Sequence, residues 1–384
     1  MKLIFCCRKY IDDERYSLDI LSEALELEQQ ESSRMFKQYD QKNVKITENG
    51  HNEYCFTSTQ FHAPQNAENL CLKIKNMSRG EVVSGMLKSF SEGSGRTIFT
   101  VADTKLDTNS LYSIGVESNR QTVDSCLDAL YRIKQHKLLK FMTKFEEDVE
   151  TKKKRNIKPP SKWFNKKLAE DSVQKNAVLR ILSESTFPFP MVITGGPGTG
   201  KSSVIVETIL QILDKKSFAH VLVTAQSNSA CDEVAMRLRA FVPAVKVFRY
   251  WGPTAANERI QSKNHDDYFT KLGKNSSIID GRTYKEPFKE NIVNYKIVVM
   301  TMSAANRLIR NSFPNDHFDF IFVDECCAAT EPECLIPIVG LGMCFKKVNA
   351  NVILVGDNHL LGPVLHSSLA AGLGLGKLFE KSFF

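Results

Sequence analysis

From about residue 190 onward, short and nearly continuous apolar runs alternate with longer stretches in which apolar residues recur at helical spacing. The runs at 191–194, 220–224, 296–301, 318–323 and 351–355 predict strands. Unbroken hydrophobicity is what parallel strands show when helices cover both faces of their sheet. After the first run, Val204-Ile205-Val206-Glu207-Thr208-Ile209-Leu210 has helical spacing, and this alternation predicts an α/β domain with a parallel sheet. The pattern upstream is different. Short β-prone pieces, Tyr54-Cys55-Phe56-Thr57, Arg96-Thr97-Ile98-Phe99-Thr100-Val101 and Ser110-Leu111-Tyr112-Ser113-Ile114-Gly115-Val116, lie between Asn, Gly and Ser clusters and predict a small barrel or sheet. From Gln121 to Glu150 the period turns helical, with Val123, Leu127, Leu130, Ile133 and Leu138 on one stripe. Between Asp12 and Gln30, Leu18, Leu21, Leu25 and Leu27 make a loosely amphipathic pattern, which predicts a helical or poorly ordered arm. The expected organisation is an N-terminal arm over 1–40, a small β-rich region over 41–120, a stalk helix and basic linker over 121–162, and the α/β domain over 163–384.

Composition changes this picture little. A chain of 384 residues has room for two or three domains, and 42% hydrophobic with 25% charged residues is ordinary for a globular protein. No stretch is long and apolar enough to span a bilayer. The apolar start, Leu3-Ile4-Phe5-Cys6-Cys7, is too short for a signal-peptide core, so an intracellular protein is expected. Ten cysteines include the adjacent pairs Cys6-Cys7 and Cys326-Cys327 but no C-x-x-C, which points to buried thiols rather than zinc or disulfides. The net charge of +7 permits a polyanionic partner without requiring one. The basic stretch Lys152-Lys153-Lys154-Arg155-Asn156-Ile157-Lys158-Pro159-Pro160 reads most simply as a solvated linker, a nuclear signal or RNA contact being the other readings.

The chemistry concentrates in one segment. Gly195-Gly196-Pro197-Gly198-Thr199-Gly200-Lys201-Ser202 fits the phosphate-loop pattern G-x-x-x-x-G-K-[ST] between a predicted strand and a predicted helix. Glycines there let backbone N–H groups turn inward around a phosphate, and the helix N-terminus adds its positive dipole end. Lys201 would reach the β/γ-phosphates, Ser203 would continue the loop's contact with the nucleotide, and the Ser202 hydroxyl would hold Mg²⁺. Phe318-Asp319-Phe320-Ile321-Phe322-Val323-Asp324-Glu325 is an apolar run ending in two acids. Asp324 would hold the ion through water and Glu325 would orient and deprotonate the attacking water. Asp357, after another apolar run, would either sense the γ-phosphate or bond its own backbone in a turn. Gln174 could read an adenine edge, because an amide both donates and accepts.

Taken together, these motifs resemble superfamily 1 RNA helicases of the Upf-one-like group, most closely the Armitage/Mov-ten branch. The resemblance covers about residues 163–384, the family's first RecA-like domain. Residues 195–202 are similar to motif I, Val223-Thr224-Ala225-Gln226-Ser227-Asn228-Ser229-Ala230-Cys231-Asp232 to motif Ia, and Val299-Met300-Thr301-Met302-Ser303 to motif Ic. Asp324-Glu325-Cys326-Cys327 resembles motif II, and Gly356-Asp357-Asn358-His359-Leu360-Leu361-Gly362-Pro363-Val364-Leu365 resembles motif III. Residues 112–139 are similar to the end of the family's inserted β-barrel (1B) and its stalk helix. The resemblance implies a RecA-like P-loop NTPase fold and ATP- and Mg²⁺-dependent 5′-to-3′ movement on single-stranded RNA. It also implies work with small-RNA silencing proteins, in the cytoplasm and its ribonucleoprotein granules. Ser227, Asn228 and Thr301 fall where the family touches the RNA backbone. Two departures stand out. Leu360 replaces the glutamine usual in motif III, and the sequence stops at Phe384, just after that motif. The second RecA-like domain and its arginine finger are therefore expected to be missing here. A catalytically impaired, nucleotide-responsive RNA scaffold is the alternative reading.

Overall fold

The computed structural model describes residues 18–50, 52–58, 70–91, 94–101, 104–118, 120–136, 159–184, 186–188, 190–261, 272, 275–279, 281–344, 347–357 and 362–375. They fall into two compact units, one built mainly from residues 25–123 and the other mainly from 124–365. The basic stretch at 152–158 and Leu360 lie outside the described residues.

The first unit is an antiparallel sheet of seven strands: β1 (Gln41–Lys45), β2 (Thr47–Gly50), β3 (Glu53–Thr57), β4 (Leu70–Asn76), β5 (Val82–Ser91), β6 (Arg96–Val101) and β7 (Leu111–Ser118). Their order is β1-β7-β4-β5-β6-β3-β2. Burial alternates along β4, β6 and β7, as it must when one face of a pleated sheet makes a core and the other meets water. Ile46, Tyr54, Phe56, Leu72, Ile74, Phe99, Tyr112 and Ile114 form that core. The ladder shifts register between Leu87 and Ser89 of β5, a bulge that bends a strand. This is the barrel-like region expected from the β-prone pieces. The weaker strands β1, β2, β4 and β5 carried Lys, Asn and Gly too often to be read from pattern.

Before and after this sheet lie the helices Leu18–Phe36 and Gln121–His136. The arm's described part is thus helical, and Leu21, Ala24 and Leu25 are buried. In the second helix the buried stripe is Ser125, Cys126, Ala129, Leu130 and Ile133, with Val123 and Leu127 at its margin. Leu130 and Ile133 of the expected stripe are thus buried, Val123 and Leu127 half-buried, and Leu138 lies outside the described residues.

The second unit holds a parallel sheet formed by β8 (Met191–Thr194), β9 (Val221–Ala225), β10 (Val247–Arg249), β13 (Ile297–Thr301), β14 (Phe320–Asp324) and β17 (Asn351–Gly356). Two short hairpins, β11 (Ile278–Ile279) with β12 (Thr283–Tyr284) and β15 (Met343–Cys344) with β16 (Lys347–Val348), lie outside it. The order is β10-β13-β9-β14-β17-β8, so β9 and β14 are central. Every strand named from its apolar run is present within a residue or two of the expected ends. β10 was not expected; its run, Val247-Phe248-Arg249, is short and interrupted by an arginine.

The helix Lys201–Lys215 packs so deeply that every residue from Val204 to Ile212 is buried, Glu207 included. A buried carboxylate must be hydrogen-bonded. Glu207 accepts from the backbone N–H groups of Phe164 and Asn165 at 3.1 and 2.8 Å and from Gln211 at 2.8 Å. It thereby fastens the segment leading into the domain to the helix that follows the phosphate loop.

Candidate nucleotide site and its flank

The register of the parallel sheet places Asp324 beside Ala225, Thr301 beside Ala225, and Gly356 beside Thr194. All the carboxyl ends therefore meet at one edge, where open α/β sheets bind ligands. The loop 195–200 leaves this edge after β8, anchored by the Gly195 N–H donating to the Gly356 carbonyl at 3.2 Å. Gly198 and Gly200 have φ of +74° and +89°, values that L side chains rarely adopt. A Cβ at Gly200 would also lie 2.7 Å from Gln174 Nε2, whereas one at Gly196 or Gly198 meets nothing within 4 Å. The loop's own conformation thus demands glycine, and the space against it is open.

Lys201 opens the helix and donates through Nζ to the carbonyls of Gly195 and Gly196 at 2.5 and 2.9 Å. Thr199 Oγ1 donates to the same Gly196 carbonyl at 2.8 Å. Gln174 Nε2 donates to the Thr199 carbonyl at 3.2 Å, so its amide is engaged with the loop backbone and not simply solvated. Ser202 is half-buried in the first helical turn. Ser203 accepts from Arg237 at 3.2 Å.

Asp324 is 4% exposed at the end of β14. Burial pushes its carboxyl up to about 6, opposed by the Glu325 N–H that it accepts at 2.9 Å and by the positive charge of Lys201. Hard oxygen donors from Ser202 and Asp324 suit Mg²⁺, which keeps several waters and takes few protein ligands. Glu325 has φ of +55°, a strained backbone for a residue with a side chain. Its Oε2 accepts from the Ser227 hydroxyl at 3.0 Å. Asp357 is buried just past β17, where its backbone bonds the half-buried Cys327 thiol, which lies within reach of the Lys201 charge.

The flanking residues are turned by their helices. Ser227 caps the helix Asn228–Arg239 by accepting from Ala230 N–H at 3.2 Å. Thr301 caps Met302–Arg310 in the same way, accepting from Ala304 N–H at 3.3 Å. Asn228 is held by Arg249 Nη2, which donates to its Oδ1 at 3.0 Å and its carbonyl at 3.2 Å. Arg249 is wholly buried and pairs through Nε with Asp232 at 2.7 Å. The same carboxylate accepts from Trp251 Nε1 at 3.0 Å and Arg259 at 2.7 Å. This cluster was not anticipated. Its signal was present, since an arginine inside the run Val247-Phe248-Arg249-Tyr250-Trp251 requires a buried partner.

A glycine loop between a parallel strand and a helix, with an acid at the end of a strand two places along the same sheet, defines the α/β P-loop nucleoside triphosphatase fold. A family model described as an AAA domain matches residues 169–286 and 254–368, together more than half of the chain. The mov-10-B.1 protein of Danio rerio is 32% identical over 271 residues, 70% of this chain and 25% of that protein. The RNA helicase Mov10l1 of Homo sapiens is 33% identical over 241 residues, 62% of this chain and 18% of that one. The armi protein of Drosophila melanogaster is 29% identical over 239 residues, 57% of this chain and 19% of its own length. The chain belongs to this AAA domain family, in the Upf-one-like superfamily 1 group and its Mov-ten/Armitage branch. It spans a quarter or less of the length of these relatives. Among the described residues no helix is long and apolar enough to cross a membrane.

Proposed function

We propose that this chain carries the nucleotide site of an ATP-dependent, 5′-to-3′ RNA helicase acting in RNA-mediated gene silencing. On this reading it works with small-RNA silencing proteins in the cytoplasm and its ribonucleoprotein granules. The observation that carries the reading is the convergence on one sheet edge of an open glycine loop headed by Lys201 and a buried acid, Asp324, whose neighbour Glu325 touches the strand-binding flank at Ser227. Residues 41–120 then serve as the 1B-like insert, 121–162 as its stalk and linker, and 163–384 as the RecA-like domain.

The chain's own residues divide the work. Backbone N–H groups of 195–202 bind phosphate oxygens, aided by the helix dipole. Lys201 exchanges the neutral carbonyl acceptors of Gly195 and Gly196 for anionic β/γ-phosphate oxygens, turning two charge-assisted hydrogen bonds into an ion pair. Gln174 orients the adenine edge, Ser203 extends the nucleotide contact, and Asp357 faces the γ-phosphate side. Ser202 and Asp324 hold Mg²⁺, which when bound polarises the transferring phosphoryl group and neutralises its charge. Glu325 takes the proton of the attacking water. Ser227, Asn228 and Thr301 contact the RNA backbone, which suits binding without base specificity.

The test is ATP turnover with and without single-stranded RNA. Turnover raised by RNA and reduced by about 100-fold or more in Glu325→Gln is expected for loss of the general base. Turnover that survives this change would mean that the base lies elsewhere.

A further inference from the structure

Ser227 is engaged on more sides than a helix cap requires. Its oxygen accepts the Ala230 N–H at 3.2 Å, lies 3.1 Å from Ser229 Oγ, and stands 3.0 Å from Glu325 Oε2. A serine hydroxyl has one proton to give and two lone pairs to receive with. The carboxylate can only accept, so the proton goes to Glu325, and Ser229 must be the donor in the serine pair. Nothing remains at this oxygen with which to donate to a phosphate. A bound RNA phosphate is also acceptor-only, and therefore competes with Glu325 for the same proton.

We propose that Ser227 is a positioning residue that holds Glu325 at rest, and that the phosphate backbone of a bound RNA strand takes over its hydroxyl and frees the carboxylate. The inference rests on the reading of Glu325 and Ser227 given above and adds the link between them. Three features support it. Glu325 stands at φ of +55°, so the resting position is one the backbone does not favour by itself. β9 and β14 are adjacent, with Ala225 opposite Asp324, so Ser227 and Glu325 leave neighbouring strand ends. Asn228, next in the chain, is fixed through its Oδ1 by buried Arg249, which leaves its amide protons for a strand lying across Ser227.

Linkage requires the effect to be reciprocal. If RNA must displace Glu325 from Ser227, removing the carboxylate must strengthen RNA binding even without nucleotide. The experiment is fluorescence anisotropy of labelled single-stranded oligouridylate on the full chain, without ATP, as a double-mutant cycle. Glu325→Ala is expected to tighten binding by about three- to tenfold, the equivalent of one hydrogen bond no longer in competition. In the Ser227→Ala background the same change is expected to alter affinity less than about twofold, because there is no bond left to break. Simple repulsion between Glu325 and RNA would tighten binding equally in both backgrounds, and that result overturns the inference. Ser227→Thr keeps a hydroxyl and a cap, and is expected to restore the coupling; its failure to do so also counts against the proposal. Should the parent chain not bind the oligonucleotide, the reading of the site falls and the inference with it. Binding with an additive cycle would remove the inference and leave the site reading standing.

Discussion

At the scale of single residues, Asp324 shows how a proposed metal ligand can work against its own fold. The usual carboxylate value is 3.8, and burial lifts this group to about 6. Between these values the folded chain keeps a proton that the unfolded chain has released, so stability falls as pH rises through that window and stays low above it. The two-unit gap corresponds to about 3 kcal/mol. Asp324→Asn is therefore expected to raise stability at pH 7.5 by about 2–3 kcal/mol and to flatten the dependence between pH 4 and 6. Urea unfolding without nucleotide or metal, at pH 5 and pH 7.5, would check both; equal stability of the two proteins at pH 7.5 would refute the argument. The residue's identity was legible in the sequence, as an acid closing an apolar run. Its burial was not, because desolvation is set by what packs over the strand end.

At the scale of elements, the least legible feature is the join between β10 and the helix Asn228–Arg239. Arg249 ties them through Asp232 and Asn228, all at the site's flank. Removing one member of a buried pair typically costs about 3–5 kcal/mol, because the other charge stays buried. Here Arg259 and Trp251 still serve Asp232, which argues for the lower end of that range. Arg249→Met, similar in volume, is thus expected to lose about 3 kcal/mol in chemical denaturation and to weaken single-stranded RNA binding through Asn228. Unchanged stability would show that the network contributes little. The strands β8, β9, β13, β14 and β17 could be read from hydrophobicity because each is buried on both faces. β10 could not, since it is only three residues long and its last, Arg249, is spent on a polar network. Likewise the helical spacing around Glu207 does not mark it as the buried acceptor that fastens residues 164 and 165.

For the molecule as a whole, a net charge of +7 bears on the proposed binding of RNA. Each phosphate neutralised by a lysine or arginine adds about 0.7 to the log–log salt slope for a single strand. A footprint with three such contacts is expected to lose roughly a hundredfold in affinity for a tenfold rise in salt. Anisotropy titrations between 50 and about 500 mM salt measure this directly; a flat profile would show that no lysine or arginine shares in holding the strand.

The sequence by itself determined the phosphate loop, the parallel strands and the acids that close β14, because glycine conformation, two-faced burial and ligand chemistry are written in neighbouring residues. Only the tertiary structure decided that Ser227 meets Glu325, 98 positions away, and that Arg249 steadies Asn228. Those contacts depend on which strands lie side by side, and strand order is a property of the assembled sheet that no local pattern encodes.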